Sequence, residues 1–516
     1  VISSEDTAQN TRSVNDLRPE PWLSISPLSG TIAAGGNAIL TVTLNSAGLA
    51  DGTYNDTIVI ASNAANQPVL SVPVTFTVFN PYPVGPRFVA EWEPAKGALI
   101  RYPFGQPYGL IADMSNNGLL YVIVTSASQS ACNSALSSNG VNMANVRYLN
   151  AASDSYWTRD YGPWTIFDAN NQMKIVDFTY NRPRPNDNLI PSFIANNMGL
   201  QYYTLPLNHT GGNIMTDGMG KAMSSQLVLS ENSSYTQNQI NQLFQNYLGV
   251  TEYQLYVDPL ANSSIDHIDC WAKLLDVDKV IIAQVPSGHS NYAAIEAGVA
   301  AWQTKTSSYG TPYRIFRTYA PNNEPYTNSY IMNKKIYVPQ MGTANDAAAL
   351  AVYQSAMPGY TIVGYSHSNY LSDDAIHCRV NTIYDDQMVA LDHVPPTSAT
   401  AGADININVS IQHHNPLDPA FSFVAWRHSP LADWQYAPLT NSAGRNWSAA
   451  IPAPALGQSV YYWIKAQDTM GKNCSMPLCA GGDPFAILVD IPGANNAPEI
   501  NLPDSFGFDM NGQLTV

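Results

Sequence analysis

Four short motifs in this sequence bring together a thiol, imidazoles and carboxylates, the side chains that act as nucleophiles, general acids or bases, and cation-binding groups. They are WTRDYGPW (157–164), HTGGNIMTDG (209–218), IDHIDC (265–270) and DDAIHCRV (373–380). Each alone has an ordinary explanation, because a lone cysteine is usually a small buried hydrophobe and a histidine near an aspartate is often only an ion pair. Gly-Gly-Asn marks a tight turn, and we expect it to let the backbone approach a site closely.

Taken together, the motifs resemble those of the guanidine-modifying (pentein) superfamily, specifically its bacterial, porphyromonad-type peptidylarginine deiminases and the related agmatine deiminases. The match runs in order through most of residues 85–390 and includes the strings YNRPRPNDN, IDHIDCWAK and EPYTNSYIMN. The resemblance implies an α/β catalytic domain built as a five-bladed pseudosymmetric propeller with the active site at its centre. It also implies deimination of arginine to citrulline by a cysteine nucleophile, with no cofactor and no metal.

By motif, the resemblance assigns the nucleophile to Cys378 and the general acid/base to His267. It assigns Asp160 and Asp269 as the carboxylates that bind the guanidinium, and Asn328, in the string YTNS, as a nearby supporting polar group. These five residues are the predicted core of the site.

The chemistry of a guanidinium suits these residue types independently of the resemblance. The group is planar and permanently charged, and its five N–H donors can be gripped bidentately by two carboxylates such as Asp160 and Asp269. A thiolate at Cys378 could then attack the carbon perpendicular to the plane, expelling ammonia and leaving a covalent thiouronium. A free thiol is only a few per cent ionised at neutral pH, so we expect the substrate cation or His267 to stabilise the thiolate.

His267 would protonate the leaving ammonia and then activate the hydrolytic water, which requires a pKa near the working pH. It lies two residues before Asp269. On a strand this spacing places both side chains on one face, and it would turn Cys270 away from the pocket.

Further residues are predicted to contact the substrate. By resemblance, Trp157 forms an aromatic wall for the arginine stem, the alternative being ordinary core packing. In the resembling peptidylarginine deiminases a pair matching Arg182 and Arg184 binds a C-terminal carboxylate; here the alternative is structural ion pairing. Ile265 belongs to the same predicted substrate site, but it follows Ser264 where the pattern of those enzymes has tyrosine, which leaves closure over the substrate open.

The elements that must position these residues follow from hydrophobic periodicity. Apolar strands at 121–126, 174–180 and 279–286 alternate with helical patterns. The best helical pattern runs from Ile240 to Leu248 and is followed by Gly249, a typical helix terminator. This alternation predicts an α/β domain over residues 85–390.

Strand alternation on either side predicts an all-β Ig-like sandwich at 21–80 and a second one at 391–492. Residues 1–20 have the composition of a linker, and 493–516 of a linker followed by the start of a further module, which could serve cell-surface attachment. The opening decapeptide lacks the pattern of a signal peptide, so we expect a mature or trimmed end.

The five cysteines are an odd number, which predicts at least one free thiol. Cys132 and Cys270 are interpreted as buried, unreactive thiols. Cys474 and Cys479 lie in a short proline-containing loop of the second sandwich, where a disulfide is plausible in an oxidising compartment.

Composition bounds the classes of function. The chain of 516 residues is 45% hydrophobic and 12% charged, with a net charge of -16 and no run of lysine or arginine. This argues against a nucleic-acid partner and suits cationic substrates such as arginine in peptides or proteins. No segment approaches the roughly 20 apolar residues of a membrane span. The abundance of tyrosine, asparagine and serine is typical of secreted bacterial proteins, so we expect a secreted or cell-surface location.

Three other functions compete with a peptidylarginine deiminase, of which the first stays open and the other two are disfavoured. An agmatine-type deiminase would share the catalytic residues. A surface adhesin with a degenerate deiminase scaffold is disfavoured by the intact motifs. A thiol protease or transglutaminase is disfavoured, because this sequence lacks the small-residue turn and the cysteine-bearing helix start with which those enzymes activate the thiol, and because Asp160 would be unexplained.

Overall fold

The computed structural model describes residues 22–33, 35–47, 49, 52–78, 81–260 and 265–490, together with short strands at Ala8–Gln9, Gly507–Phe508 and Leu514–Thr515. Ser264 and most of the predicted linkers at 1–20 and 493–516 lie outside the described residues. The chain forms two compact units, Val1–Pro83 and Val84–Val516.

The described part of the smaller unit is all β. Leu23–Ser26 pairs with Thr41–Leu44, Thr31–Ile32 pairs with Ala8–Gln9, and Gly52–Ala61 forms a long antiparallel hairpin with Val69–Val78. Trp22, Leu23 and Ile58 are the buried centre of its small core.

The larger unit begins with five small sheets that follow one another along the described chain, which confirms the α/β class. In spatial order their strands are Val146–Asn150, Leu119–Val124, Ala95–Arg101 and Asn381–Tyr384 in the first sheet; Tyr202–His209, Met173–Tyr180, Trp164–Phe167 and Arg87–Phe88 in the second; Met215–Thr216, Lys221–Ser225 and Glu252–Tyr256 in the third; Ala272–Asp276, Lys279–Gln284 and Arg314–Tyr319 in the fourth; and Tyr330–Met332, Lys335–Gln340 and Thr361–Ser366 in the fifth.

Each sheet contains a parallel pair of strands joined by a helix, because parallel neighbours need a crossover of about a dozen residues. The helices are Tyr108–Asn117, Gln129–Ser137, Ile190–Met198, Leu227–Glu231, Gln237–Leu248, Tyr292–Gln303 and Asp346–Ala356. The helix predicted from periodicity is confirmed as Gln237–Leu248; Thr236 caps its start and Gly249 ends it in a left-handed conformation. A side chain at Gly249 would also overlap the carbonyl oxygen of Pro86.

In each of the five sheets, one strand is directly preceded along the chain by a short turn. The turns are Thr158–Tyr161, Gly211–Asn213, Ile268–Cys270, residues 326–328 and His377–Arg379. The first turn contacts the second and the last, and the second contacts the third. The strand after the last turn, Asn381–Tyr384, pairs antiparallel with Ala95–Arg101 of the first sheet. The order of the sheets therefore gathers turns that are far apart in sequence.

The end of the larger unit is built from two more sheets. Their strands are Ala390–Asp392, Ile405–Gln412, Asn446–Ile451 and Thr440–Ala443 in one, and Ser398–Thr400, Phe485–Asp490, Ser459–Gln467, Phe423–Arg427 and Gln435–Pro438 in the other, with Asn473–Met476 paired to Ser459–Gln467. An ion pair of 2.6 Å between buried Lys279 and half-buried Asp483 joins this part to the fourth sheet.

The predicted disulfide between Cys474 and Cys479 is wrong, because both are free thiols. The Sγ of Cys479 is directed at Lys279 Nζ, 3.5 Å away, whereas the Sγ of Cys474 contacts the carbonyl oxygen of Ser475. The two side chains have different neighbours. No helix in the described ranges is long and apolar enough to cross a membrane.

Candidate active site

The predicted catalytic residues all lie on or beside the gathered turns. Asp160 belongs to the first turn, Asp269 to the third and Cys378 to the last, while His267 directly precedes the third turn. The prediction that His267 and Asp269 share a strand is wrong, because Ile268–Cys270 is a 3₁₀ turn. The turn brings both side chains to the same site by a different geometry.

Cys270 does not face away from the site as the strand interpretation required. Its Sγ lies 3.5 Å from the carbonyl oxygen of Asp373, and the Sγ of Cys378 lies 3.8 Å from the same oxygen. In a 3₁₀ turn, successive side chains are about 120° apart rather than opposed. Cys270 therefore borders the predicted nucleophile.

Asn328 links the thiol to one carboxylate. Its Nδ2 donates to Asp269 Oδ2 and to Cys378 Sγ, at 3.1 Å in both cases, and its Oδ1 accepts from the backbone N–H of Cys378 and of Ala375. Cys378 Sγ lies 3.7 Å from Asp269 Oδ2. The amide thus fixes the thiol beside the carboxylate.

Two other side chains hold the turns in place. Asn213 Oδ1 accepts hydrogen bonds from the backbone N–H of Ile268 and Ser225, and so anchors the turn that carries Asp269. Arg379 grips Asp374 through two bonds of 2.8 and 2.7 Å in a buried setting, which fixes the segment that carries Cys378.

Asp160 and His267 face each other without a direct hydrogen bond. Asp160 Oδ1 lies 3.8 Å from His267 Nδ1, and neither that oxygen nor either ring nitrogen has a hydrogen-bond partner among the described residues. Both residues are buried. Leaving such a group unsatisfied costs about 1–3 kcal/mol, so a ligand rich in N–H donors would be stabilised here.

Gly212 lies at the centre of this group of side chains. A Cβ on it would lie 2.6 Å from His267 Nδ1, 2.7 Å from Asp160 Oδ1 and 3.3 Å from Asp269 Oδ2. On the neighbouring Gly211, a Cβ would overlap the carbonyl oxygen of Arg159. The Gly-Gly-Asn turn therefore does bring backbone close to the site, and three of the predicted catalytic side chains surround one glycine.

Gly212→Ala is expected to lower kcat/KM for a guanidine substrate by about 100-fold, the scale of loss caused by displacing catalytic groups by about 1 Å. The added methyl would push apart the three side chains around it. Ammonia release measures the loss, and Gly288→Ala is the control, because a Cβ there meets nothing within 4 Å. Unchanged kinetics in Gly212→Ala would show that the space beside Gly212 is not part of the site.

Burial and neighbouring charge separate the protonation states of the two carboxylates. Burial raises the pKa of Asp160 to about 8, and the Asp269 and Asp374 carboxylates act in the same direction. Burial also acts to raise the pKa of Asp269, but the hydrogen bond and charge of His377 outweigh it and hold that pKa below its ordinary value. Of these two carboxyl groups, only Asp269 is therefore ionised at neutral pH.

The thiol of Cys378 and the imidazole of His267 are both neutral at neutral pH. Burial raises the pKa of Cys378 well above its usual range, and the Asp269 and Asp374 charges raise it further. Burial lowers the pKa of His267 to about 4; Asp269 opposes this and the Arg182 charge adds to it. An arriving cation would favour the thiolate of Cys378, because an opposite charge stabilises it.

The predicted substrate-contacting residues have contacts of different kinds. The guanidinium of Arg184 lies over the Trp157 ring, 4.2 Å from its centroid, and donates to the Tyr180 hydroxyl at 2.8 Å. The positive charge of Arg182 opposes the rise that burial causes in the pKa of Asp160, and it adds to the fall that burial causes in the pKa of His267. Ile265 is half-buried and packs against the main core. The face of Trp157 is thus in contact with Arg184.

Sequence reasoning missed a second group of buried charges. His377 contacts Asp269 and Glu91, and Glu91 in turn contacts Lys273 and Arg159. The position of His377 directly before Cys378 was an available signal. Glu91 had none, because it is brought to the site from the start of the larger unit.

Known proteins similar to this chain carry related descriptions. The sequence profile of the family described as Porphyromonas-type peptidyl-arginine deiminase matches residues 87–382. A protein of Yersinia pseudotuberculosis provisionally named an agmatine deiminase is 26% identical over 282 residues, covering 46% of this chain and 77% of that protein. A protein of Legionella pneumophila with the same provisional name is 25% identical over 256 residues, covering 45% and 74%.

Solved structures share the fold. The agmatine deiminase of Enterococcus faecalis aligns with a TM-score of 0.54 at 19% identity, covering 58% of this chain and 96% of that one. A Porphyromonas gingivalis protein provisionally described as an arginine deiminase aligns with a TM-score of 0.53 at 19% identity, covering 58% and 99%.

The α/β fold and the site together define a deiminase, a hydrolase that modifies guanidino groups. The profile match extends over more than half of the sequence, and the chain belongs to the Porphyromonas-type peptidyl-arginine deiminase family.

Proposed function

We propose that this protein hydrolyses the guanidinium of arginine to citrulline and ammonia through a covalent thiouronium on Cys378, with preference for arginine at the C-terminus of peptides and proteins. The observation that carries the proposal is that Asp160, Asp269 and His267 surround Gly212 while the thiol of Cys378 contacts Asp269. This set combines a thiol, two carboxylates and an imidazole in one buried site.

The two carboxylates hold the substrate. Asp269 is ionised before binding, and Asp160 becomes ionised when the cation arrives, because a positive charge at hydrogen-bond distance lowers a carboxyl pKa by about 1 to 3 units. Ionised Asp160 then faces His267 Nδ1 at 3.8 Å and, together with Asp269, favours the protonated imidazole that the next step needs. The proton that Asp160 releases leaves to solvent.

The same cation promotes ionisation of the thiol, because its charge offsets the carboxylates that oppose the thiolate, and the thiol proton passes to His267. The sulfur of Cys378 bonds to the guanidinium carbon, and one C–N bond breaks as protonated His267 delivers its proton to the leaving nitrogen, releasing ammonia. Neutral His267 then takes a proton from water, whose oxygen bonds to the same carbon. The C–S bond breaks, citrulline leaves as its new hydroxyl group loses a proton to solvent, and His267 returns its proton to the sulfur of Cys378.

Arg182 and Arg184 support recognition of a terminal carboxylate. A free α-carboxylate is a planar anion that an arginine can hold bidentately, and the contacts of Arg184 with Trp157 and Tyr180 limit its movement. The stem of the substrate arginine packs beside Trp157. Agmatine lacks the carboxylate, so it is the competing substrate; the names of the Yersinia and Legionella proteins favour this alternative.

The test compares a peptide ending in free arginine, its C-terminal amide and agmatine. Arg182 and Arg184 are half-buried, so we expect the acid to be favoured in kcat/KM by about 2 kcal/mol, at the low end of what such charge pairs give. The double variant Arg182→Ala plus Arg184→Ala should remove the preference. Arg317→Ala, which removes a half-buried arginine paired with Glu296, should retain it.

Equal wild-type rates on the acid and the amide would reject the preference for C-terminal arginine. Faster turnover of agmatine than of either peptide would assign the chain to the agmatine type.

We propose further that the five sheets of residues 84–390 form the blades of a pseudosymmetric propeller around the gathered turns, and that the smaller unit and residues 391–492 are Ig-like sandwiches. A secreted or cell-surface location, with attachment through a module after residue 492, fits peptide and protein substrates.

A further inference from the structure

His377 lies between two carboxylates. Its Nδ1 is 2.6 Å from Asp269 Oδ2 and its Nε2 is 2.6 Å from Glu91 Oε2. The side chains of His377 and Asp269 are almost wholly buried and that of Glu91 is 13% exposed. No step of the proposed reaction uses this imidazole.

The two short contacts require both ring nitrogens to carry hydrogen. A neutral imidazole has one N–H, so its other nitrogen would present a lone pair to a carboxylate oxygen. Both carboxyl groups also accept from donors other than His377. Glu91 contacts Lys273, Arg159 and the backbone N–H of Ile331, and its pKa, which burial acts to raise, is held well below its usual range. Asp269 Oδ2 accepts from Asn328 Nδ2. His377 is therefore an imidazolium between two anions.

Glu91 is itself firmly held. Its Oε1 accepts from Lys273 Nζ at 2.6 Å and from the backbone N–H of Ile331 at 2.9 Å, and Arg159 lies 3.3 Å from Oε2. The resulting row alternates in charge from Lys273 and Arg159 through Glu91 and His377 to Asp269. Its last atom, Asp269 Oδ2, is also the oxygen that faces Cys378 Sγ and Asn328.

We propose that His377, held by Glu91, is a positioning residue that keeps Asp269 ionised and aims its Oδ2 at the bound cation. This inference rests on the proposed function, because it assigns the reason why one of the two guanidinium-binding carboxylates carries a charge in the empty site. An unpaired carboxylate as buried as Asp269 would retain its proton, as Asp160 does, and a site with two neutral carboxyls would attract a guanidinium weakly.

The test uses the full chain and the rate at which 2-chloroacetamidine, an amidinium cation, alkylates Cys378 as a function of pH. His377→Gln keeps one N–H donor but removes the charge. In this variant we expect the acid limb of the pH–rate profile to lie about 1 to 3 pH units higher than in the wild type, because a carboxyl pKa rises by that amount when an opposite charge in contact is lost. Glu91→Gln should move it in the same direction and less, and the double variant should match His377→Gln alone.

His377→Arg, which restores a cation with several donors, should move the limb back toward the wild-type position. His393→Gln is the matched control: His393 is equally buried and bridges Asn408 O and Tyr462 OH in the last part of the chain. The His393→Gln substitution should lower the thermal midpoint of unfolding and leave the pH–rate profile of alkylation unchanged. If His377→Gln does not fold, Glu91→Gln and its comparison with wild type decide the question.

A uniform fall in rate at every pH, with the acid limb unmoved in both His377→Gln and Glu91→Gln, would overturn the proposal and assign the row of charges to stability alone. Ammonia release from guanidines, measured in parallel, tests the proposed function separately. Wild-type enzyme that is alkylated at Cys378 but releases no ammonia would reject the proposed function, while the shift of the limb would still decide the role of His377.

Discussion

Cys378→Ala enzyme is expected to release no detectable citrulline or ammonia, a loss of at least about 10⁴-fold, because the nucleophile and the covalent intermediate are both removed. The thiol is buried rather than accessible, but within the part of the chain that the structure describes its polar contacts are limited to Asn328, Asp269 and the Asp373 carbonyl. The fold should therefore persist, which circular dichroism and the thermal midpoint would verify.

Labelling locates the nucleophile independently of turnover. After treatment with 2-chloroacetamidine, mass spectrometry should find the label on Cys378 and none on Cys270. Cys270→Ala is the sharpest control, because its thiol borders the same carbonyl oxygen. That variant should retain both labelling and turnover. A label on Cys270 or Cys132 that abolishes activity would move the nucleophile there.

Asp269→Asn and Asp160→Asn should each lower kcat/KM severely, since each removes charge-assisted hydrogen bonds worth roughly 1.5 to 3 kcal/mol from a desolvated grip and misplaces the reacting carbon. We expect the larger loss in Asp269→Asn, because it also leaves the imidazolium of His377 facing a neutral amide. Steady-state kinetics on an arginine peptide would measure both losses.

Asp168→Asn provides the control for removing a buried carboxylate. Asp168 caps a turn by accepting from the backbone N–H of Asn170 and Gln172 and pairs with Lys174. The Asp168→Asn enzyme should be less stable than the wild type and keep the wild-type turnover number. Near-normal kinetics in Asp160→Asn or Asp269→Asn would return that residue to a structural role.

The amino-acid sequence alone determined the features that depend on neighbouring residues. The helix Gln237–Leu248 was predictable because its apolar spacing, its capping threonine and its terminal glycine act within a few residues of one another. The α/β class followed from such local patterns repeated along the chain. The catalytic residue types were predictable as well, because each lies within a short motif.

The pairing of distant residues needed the tertiary structure. His267 and Asp269 were placed on a strand because residues two apart share one face of a strand. The chain instead makes a 3₁₀ turn there, and Asn213, which is distant in sequence, holds that turn by a hydrogen bond. The predicted disulfide failed for a similar reason, since proximity in sequence did not reveal that Cys479 is directed at Lys279.

The protonation states were decided only by the tertiary structure. Two aspartates of identical chemistry diverge, with the pKa of Asp160 raised to about 8 and that of Asp269 lowered. The difference arises because the fold buries both groups but brings only Asp269 into contact with His377, which Glu91 holds from 286 residues away along the chain. Desolvation and charge act through space, so the sequence supplies the acids and the fold decides which one is charged.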